Sequence, residues 1–324
     1  MHIVITGGAG FLGSRLARQL LQRGQLSGSD GKLQTISRIT LLDVVAAQGF
    51  DDARIESVTG DIADAAVLER VIGAQTQSIF HLAAIVSGQA EADFELGMRI
   101  NFDATRLILE RARMLGSKPR LVFTSSVAVF GGELAPRVSD HALLMPQSSY
   151  GAQKVMGELL INDYSRKGYI DGRALRMPTI SVRPGAPNKA ASSFASGIIR
   201  EPLNGQTTVC PVSPDTRMWL MSPRQAIANL IHGHEIKGAD LGLARFLSMN
   251  GLSVTVREMV DALQQVAGIE VSKLIQWQQD EAVKRIVNSW PGDFEATRAK
   301  ALGFTADSDF ASIIKAYIED EISR

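Results

Sequence analysis

The strongest constraint on the fold is the run Thr6-Gly7-Gly8-Ala9-Gly10-Phe11-Leu12-Gly13, which follows a short apolar stretch and opens a helical pattern. Glycines at 7, 10 and 13 give a GxxGxxG spacing. A turn this tight needs a residue free of Cβ clashes. The backbone there must approach a ligand closely, and the last glycine lets helix and strand pack together. The helix start then offers free N–H groups and the positive end of its dipole. This strand–loop–helix arrangement predicts a site for the pyrophosphate of a dinucleotide, contacted by Gly7, Gly10, Phe11, Leu12 and Gly13.

The surrounding pattern agrees. Short β-rich runs at 3–6, 39–43, 55–59, 78–82, 120–125 and 173–177 alternate with segments of helical period at 13–23, 63–72, 101–115 and 150–167. Such alternation implies parallel strands joined by right-handed helical crossovers, an α/β fold with a doubly wound (Rossmann) parallel sheet. Residues 25–32, rich in Gly, Ser and Asp, read as a surface loop. Residues 184–206 have no clean period, and further helices are expected at 256–266 and 309–322. The organisation expected is a dinucleotide-binding domain over 1–178, open to the return of later segments. Residues 179–324 mainly form a smaller mixed α/β substrate-binding lobe.

Composition narrows the function classes. Lys plus Arg and Asp plus Glu both number 34, so the chain lacks the net basic charge of a nucleic-acid binder. Cys210 is the single cysteine, which suits a reducing cytoplasm and excludes an intrachain disulfide. No apolar run approaches the roughly 20 residues that span a bilayer. The amino-terminal residues lack the pattern of a signal peptide, so a cytoplasmic, membrane-free protein is expected. No His, Cys, Asp or Glu cluster has metal-ligand spacing, and no metal is expected.

Strand ends supply the rest of the cofactor site. Asp43 closes the second strand run, where an acid meets the adenosine ribose hydroxyls and repels an extra phosphate, favouring NAD over NADP. Asp61 and Ile62 follow the third run, placed for the adenine. His81-Leu82-Ala83-Ala84 ends the fourth. Ala83 is small enough for a dinucleotide to lie against the sheet edge, and His81 reads as a packed structural histidine.

Tyr150 and Lys154 stand at i and i+4, on one face of a helix. A free phenol titrates near ~10, and a neighbouring ammonium lowers that value by stabilising the phenolate. Tyr150 is then a base for a substrate hydroxyl. The strand run from Leu121 ends in Ser125 and Ser126 at the carboxyl edge of the sheet, where doubly wound folds bind ligands. Ser126 is placed to hold the reacting oxygen beside Tyr150.

These motifs, GGAGFLG, the acid at 43, DI at 61–62, HLAA, TSSVAVFG, YGAQK and RMPTISVRPG, resemble the extended short-chain dehydrogenase/reductase (NAD-dependent epimerase/dehydratase) family in order and spacing over roughly the first 230 residues. The resemblance implies that Ser126, Tyr150 and Lys154 form a catalytic trio, with Tyr150 and Lys154 also touching the cofactor. It puts Asn101 behind the active-site helix among the cofactor-site residues, and Pro178 and Thr179 at the nicotinamide carboxamide.

The pattern departs from the nucleotide-sugar members at Phe130, at Val127 and Ala128, and over 217–222. Residues 177–194 resemble the sugar-acid dehydrogenases of the family. That implies oxidation of the C2 hydroxyl of a four-carbon sugar acid such as D-erythronate to a 2-keto acid. A small carboxylate suits the planar fork of an arginine, and Arg183, Arg217 and Arg224 are the candidates. Ser87, Ser126 and Tyr150 complete the expected substrate contacts. The alternatives are a nucleotide-sugar epimerase or dehydratase with tightly held NAD, and a non-enzymatic NAD-binding redox sensor. Family members often pair through the helices corresponding to 101–115 and 150–167, so a homodimer is expected.

Overall fold

A computed structural model describes residues 1–187 and 190–322; Asn188 and Lys189, part of the stretch compared with sugar-acid dehydrogenases, lie outside the described residues. The first strand, β1 (His2–Thr6), is wholly buried. It alternates its side chains between two apolar layers, with Ile3 and Ile5 on one side and Val4 on the other. Helix α1 (Phe11–Arg23) follows and ends on Gly24 in the left-handed conformation, at φ 69°.

Residues 25–32 correct the loop expectation. They begin with β2 (Gln25–Ser27), which pairs antiparallel with β3 (Leu33–Thr35). Leu26 is fully buried in the core beneath this hairpin. One apolar residue among polar neighbours anchors it, and composition alone hides that anchor.

The central sheet has seven strands in the order β12-β8-β7-β6-β1-β4-β5. They are β4 (Arg38–Asp43), β5 (Ile55–Thr59), β6 (Thr76–His81), β7 (Arg120–Ser126), β8 (Asp171–Met177) and β12 (Phe246–Ser248), besides β1. Every pairing among them is parallel. The fold is therefore the doubly wound α/β sheet, and the six expected strands lie within two residues of their predicted limits.

Helices cover both faces. On one, α1 packs beside α8 (Pro223–Glu235), burying Leu16, Leu20, Leu230 and Ile231 against the sheet. On the other lie α2 (Ala65–Val71), α5 (Ala104–Leu115) and α6 (Ser149–Arg166), with Leu68, Ile108, Leu109 and Ile161 in the core. The short helices α3 (Ser87–Ala92) and α4 (Phe94–Gly97) lead into a π-helical turn over Met98–Asp103. That turn carries Asn101 and runs without a break into α5, so the helix predicted from 101 opens with a π-helical turn.

Beyond β8 the chain leaves the sheet and returns twice, through α8 and β12. Before and after those returns it builds a second apolar cluster. The strands β9 (Thr179–Ile180), β11 (Arg217–Met221) and β13 (Leu252–Thr255) form a three-stranded sheet. With α7 (Phe194–Leu203) and α9 (Val256–Ala267) they enclose Ile198, Leu220, Met259 and Leu263. Among the described residues, no helix is long and apolar enough to cross a membrane.

The sheet order reverses direction at β1, whose neighbours β4 and β6 lead to opposite edges. A crevice must open at the carboxyl ends of these strands, because the connections diverge there. His81 holds the edge together. Its Nδ1 pairs with Thr6 Oγ1 at 2.7 Å and its Nε2 with Thr105 Oγ1 at 2.9 Å. Burial, reinforced by the Lys154 cation, pushes its pKa down to about 3, so the ring is a neutral strut.

Candidate active site

A cleft of about 550 Å³ runs along this carboxyl edge. At one end lies the glycine loop. Gly7 has φ +70°, and a Cβ there would stand 2.9 Å from the Ala83 backbone nitrogen. A Cβ on Gly13 would stand 2.1 Å from the Gly7 carbonyl oxygen. The loop and the tip of β6 are thus in backbone contact, and no other residue type fits. Helix α1 begins at Gly10 with no side chain capping it, so its first N–H groups face the cleft beside Phe11, Leu12 and Gly13.

Two acids line the same end. Asp43 accepts the Ala9 N–H at 3.1 Å and the Val44 N–H at 2.7 Å, which pins its carboxylate beside the glycine loop. Asp61 accepts the Ala63 N–H and pairs with Arg99. Burial opposes its ionisation, but these donors outweigh burial and hold it below the usual carboxylate range. Ile62 and Ala83 supply apolar walls. A cradle closed to any Cβ, an uncapped helix start and a fixed carboxylate one strand away match the demands of NAD.

At the other end, three consecutive residues of β7 meet three successive turns of α6. Lys154 Nζ donates to the Thr124 carbonyl at 2.8 Å. Ser125 Oγ donates to Glu158 at 2.5 Å. Ser126 lies beside the Tyr150 phenol, where its hydroxyl favours the ionised form. The Lys154 ammonium lies 5.5 Å from the centre of the Tyr150 ring and 4.5 Å from that of Phe123.

The i, i+4 pattern predicts a phenol lowered by its lysine. In the cleft, burial dominates and pushes Tyr150 up to about 12, against the Ser126 hydrogen bond and the Arg183 charge. Burial also pushes Lys154 down to about 7, opposed by the Glu158 carboxylate. Sequence spacing reports which charges are near but not how much water is lost, and water loss sets the sign for Tyr150.

Pro178, Thr179 and Ser87 line the cleft as expected. Asn101 does not. Its Oδ1 accepts the Ile85 N–H at 2.8 Å, and its Nδ2 donates to the Ile85 carbonyl at 3.1 Å and to Gln153 Oε1 at 2.7 Å. It therefore joins the loop after β6 to α6 from behind the wall, because the π-turn aims it at that helix.

Of the three arginines, the cleft takes only Arg183. Its Nη2 lies 3.4 Å from Ser192 Oγ. Burial lowers its pKa, as does the like charge of Arg200. Arg217 sits exposed at the start of β11 and reaches Ser253 instead, outside this cleft. Arg224, in the first turn of α8, is tied to Glu319 and Asp320 at the surface. Both were candidates for the substrate carboxylate; neither lines the cleft, although Arg217 lines a small hollow beside it with Val127, Thr179 and Trp290.

Residues 3–221 match the model of the NAD dependent epimerase/dehydratase family. The chain belongs to that family. As a family member it is 58% identical to a Cupriavidus necator protein described as D-erythronate dehydrogenase, over 99% of this chain and 98% of that one. It is 46% identical to a Haemophilus influenzae protein of the same description, over 98% and 99%. A crystal structure described as the nucleoside-diphosphate-sugar epimerase from Agrobacterium tumefaciens superposes with a TM-score of 0.93 at 45% identity, covering 100% of this chain and 95% of that one.

Several cleft residues of this epimerase/dehydratase-family chain escaped the sequence reading. Arg99, from the turn before α5, pairs with Asp61 at the rim. Trp290 enters the wall from far along the chain, with nothing local to flag it. Glu158, buried behind the cleft wall, repeats the four-residue spacing of Tyr150 and Lys154 once more, a signal that was legible. The glycine cradle yields a direct test. Gly13→Ala is expected to weaken NAD binding at least tenfold by calorimetry, since the methyl group must displace the loop. Unchanged affinity would show that the dinucleotide binds elsewhere.

Proposed function

We propose that this chain oxidises the C2 hydroxyl of D-erythronate to the corresponding 2-keto acid as an NAD-dependent dehydrogenase. The observation that carries the reading is the convergence of Ser126, Tyr150 and Arg183 at one end of a cleft whose other end is the glycine cradle, in a chain 58% identical to a D-erythronate dehydrogenase over 99% of its length. When bound, NAD supplies the acceptor for the hydride that leaves the alcohol carbon. The residues that would hold it are Gly7, Gly10, Phe11, Leu12 and Gly13 at the pyrophosphate, and Asp43 at the adenosine ribose. Asp61, Ile62 and Ala83 line the adenine side, with Pro178 and Thr179 at the nicotinamide end.

The protein's own groups handle the proton. Ser126 orients the substrate hydroxyl, and Tyr150 accepts its proton on the phenolic oxygen. Lys154, fixed by the Thr124 carbonyl, stabilises the phenolate through its charge. Arg183 receives the substrate carboxylate, and Ser87 is placed for a further hydroxyl. A positioned base of this kind is worth roughly 10²–10⁴ in rate.

We place the protein in the cytoplasm, which suits its single, buried, unbridged Cys210. We further propose a homodimer paired through α5 and α6. Met114 and Leu159 on these helices are 71% and 58% exposed, which favours a covering partner over solvent.

Four measurements test these readings. D-erythronate with NAD is expected to give NADH, with kcat/KM rising with pH along an acid limb, because the buried phenol ionises only as protons become scarce. Tyr150→Phe is expected to lose about 10²–10⁴ of that rate. No NADH from any four-carbon sugar acid, with turnover of UDP- or GDP-sugars instead, would replace the dehydrogenase by an epimerase. Arg183→Met is expected to lower kcat/KM for the sugar acid about 10- to 150-fold, the loss of a charged hydrogen-bond pair worth roughly 1.5–3 kcal/mol, with KM for NAD unchanged. An equal effect on NAD would move Arg183 out of the substrate site. Light scattering is expected to give twice the 35.0 kDa chain mass, and the mass of one chain would refute the dimer.

A further inference from the structure

Glu158 is a buried carboxylate that the proton chemistry above does not use. It lies two helical turns beyond Tyr150 and one beyond Lys154, so the three side chains share one face of α6. Glu158 and Lys154 are each 1% exposed, and Arg176 opposite them is 2% exposed. Ser125 Oγ donates to Glu158 Oε1 at 2.5 Å, Arg176 Nε to the same oxygen at 2.9 Å, and Arg176 Nη2 to Oε2 at 2.7 Å. The Arg176 guanidinium is itself held over two aromatic rings, 5.0 Å from the centre of Phe130 and 4.5 Å from that of Phe246.

Neither partner has freedom to move. Ser125 belongs to β7, between the residues that hold Lys154 and Tyr150, and Arg176 belongs to β8 next to it. Burying an ion pair is costly, and a buried hydrophobic pair of similar shape often serves stability equally well. A fixed carboxylate one turn behind a buried ammonium has an effect that such a pair lacks. It sets the charge state of that ammonium.

We propose that Glu158 is a positioning residue for the dehydrogenase reaction, acting through Lys154: held by Ser125 and Arg176, its carboxylate keeps Lys154 as the cation that Tyr150 needs beside it. The inference rests on the reading of Tyr150 as the base. The groups that face Lys154 are few. Tyr150 and Glu158 come from α6 itself, His81 from β6 and Arg176 from β8, and Arg183 lies beyond Tyr150. His81 is neutral. Arg176 is engaged with Glu158 through both nitrogens. Arg183 acts on the phenol directly. Glu158 is the anion among them, and its charge raises the lysine against the effect of burial.

Loss of the carboxylate charge has a signed consequence. Lys154 then gives up its proton at lower pH, the phenolate loses its stabilising neighbour, and Tyr150 ionises at higher pH. Glu158→Gln keeps the shape and an acceptor oxygen for Ser125. It is expected to move the acid limb of kcat/KM for D-erythronate oxidation upward by about one pH unit, a tenfold loss at neutral pH. KM for NAD should stay within twofold. Because this variant leaves Arg176 buried without its partner, the double variant Glu158→Gln, Arg176→Met is measured alongside it. The same displacement is expected there.

A merely structural carboxylate would lower melting temperature in the single variant and leave the pH profile in place. A folded double variant with the wild-type limb overturns the inference. So does a lysine NMR titration of the unaltered enzyme that finds Lys154 neutral below pH 6, which decides the matter if neither variant folds. Failure of the underlying reading is separate and visible: Tyr150→Phe would then retain activity.

Discussion

The site depends on the fit of one strand tip to one helix. At the end of β7, Thr124, Ser125 and Ser126 engage Lys154, Glu158 and Tyr150 in turn. Successive strand residues point to opposite faces, so Ser126 reaches into the cleft while Ser125 reaches beneath it. The Thr124 carbonyl takes the ammonium. This registration is rigid because Phe123 and Gly157 are packed against each other where the elements cross. A Cβ on Gly157 would stand 3.0 Å from the Phe123 ring. The contact lets α6 approach the sheet closely enough for short polar side chains to meet.

The other end of the cleft obeys the same geometry with different atoms. There the contact is between backbones, Gly7 against Ala83 and Gly13 against Gly7. Both ends lie on the carboxyl edge of one parallel sheet, so the distance between cradle and phenol is set by strand spacing and not by loops. His81 ties β1, β6 and α5 at the midpoint as a neutral ring. A charged histidine there would lie close to Lys154, and the two like charges would disfavour each other.

How much of this was legible in the sequence follows from how local each signal is. The strands, the glycine loop and the Tyr150–Lys154 spacing depend on residues within a turn or two of one another, and all were readable. The anchor Leu26 was not, because a single apolar residue has no period. The resemblance puts Asn101 in support of the active-site helix, and its bond to Gln153 is that support; its place among the cofactor-site residues is not matched, since it does not line the cleft. The choice among Arg183, Arg217 and Arg224 needed the path of the chain beyond 178, where strand direction and ion pairs decide. The direction of the Tyr150 shift needed burial, which no spacing encodes.

Arg183 shows how these separate facts combine into selectivity. Among the described residues, the one hydrogen-bond partner of its guanidinium is the Ser192 hydroxyl, and the charge with the largest effect on it is the like-signed Arg200. Arg200 is itself matched by Glu201. A buried cation so placed is costly until an anion reaches it. On the proposed reading, a substrate carboxylate would act there as ligand and as counter-ion at once, which a neutral sugar would not. The same cation favours the Tyr150 phenolate. A carboxylate that neutralises Arg183 withdraws part of that support at the moment the base must act. On that reading Lys154 would remain as the cation beside the phenolate, and the proposed role of the carboxylate behind it on α6 would bear directly on the rate.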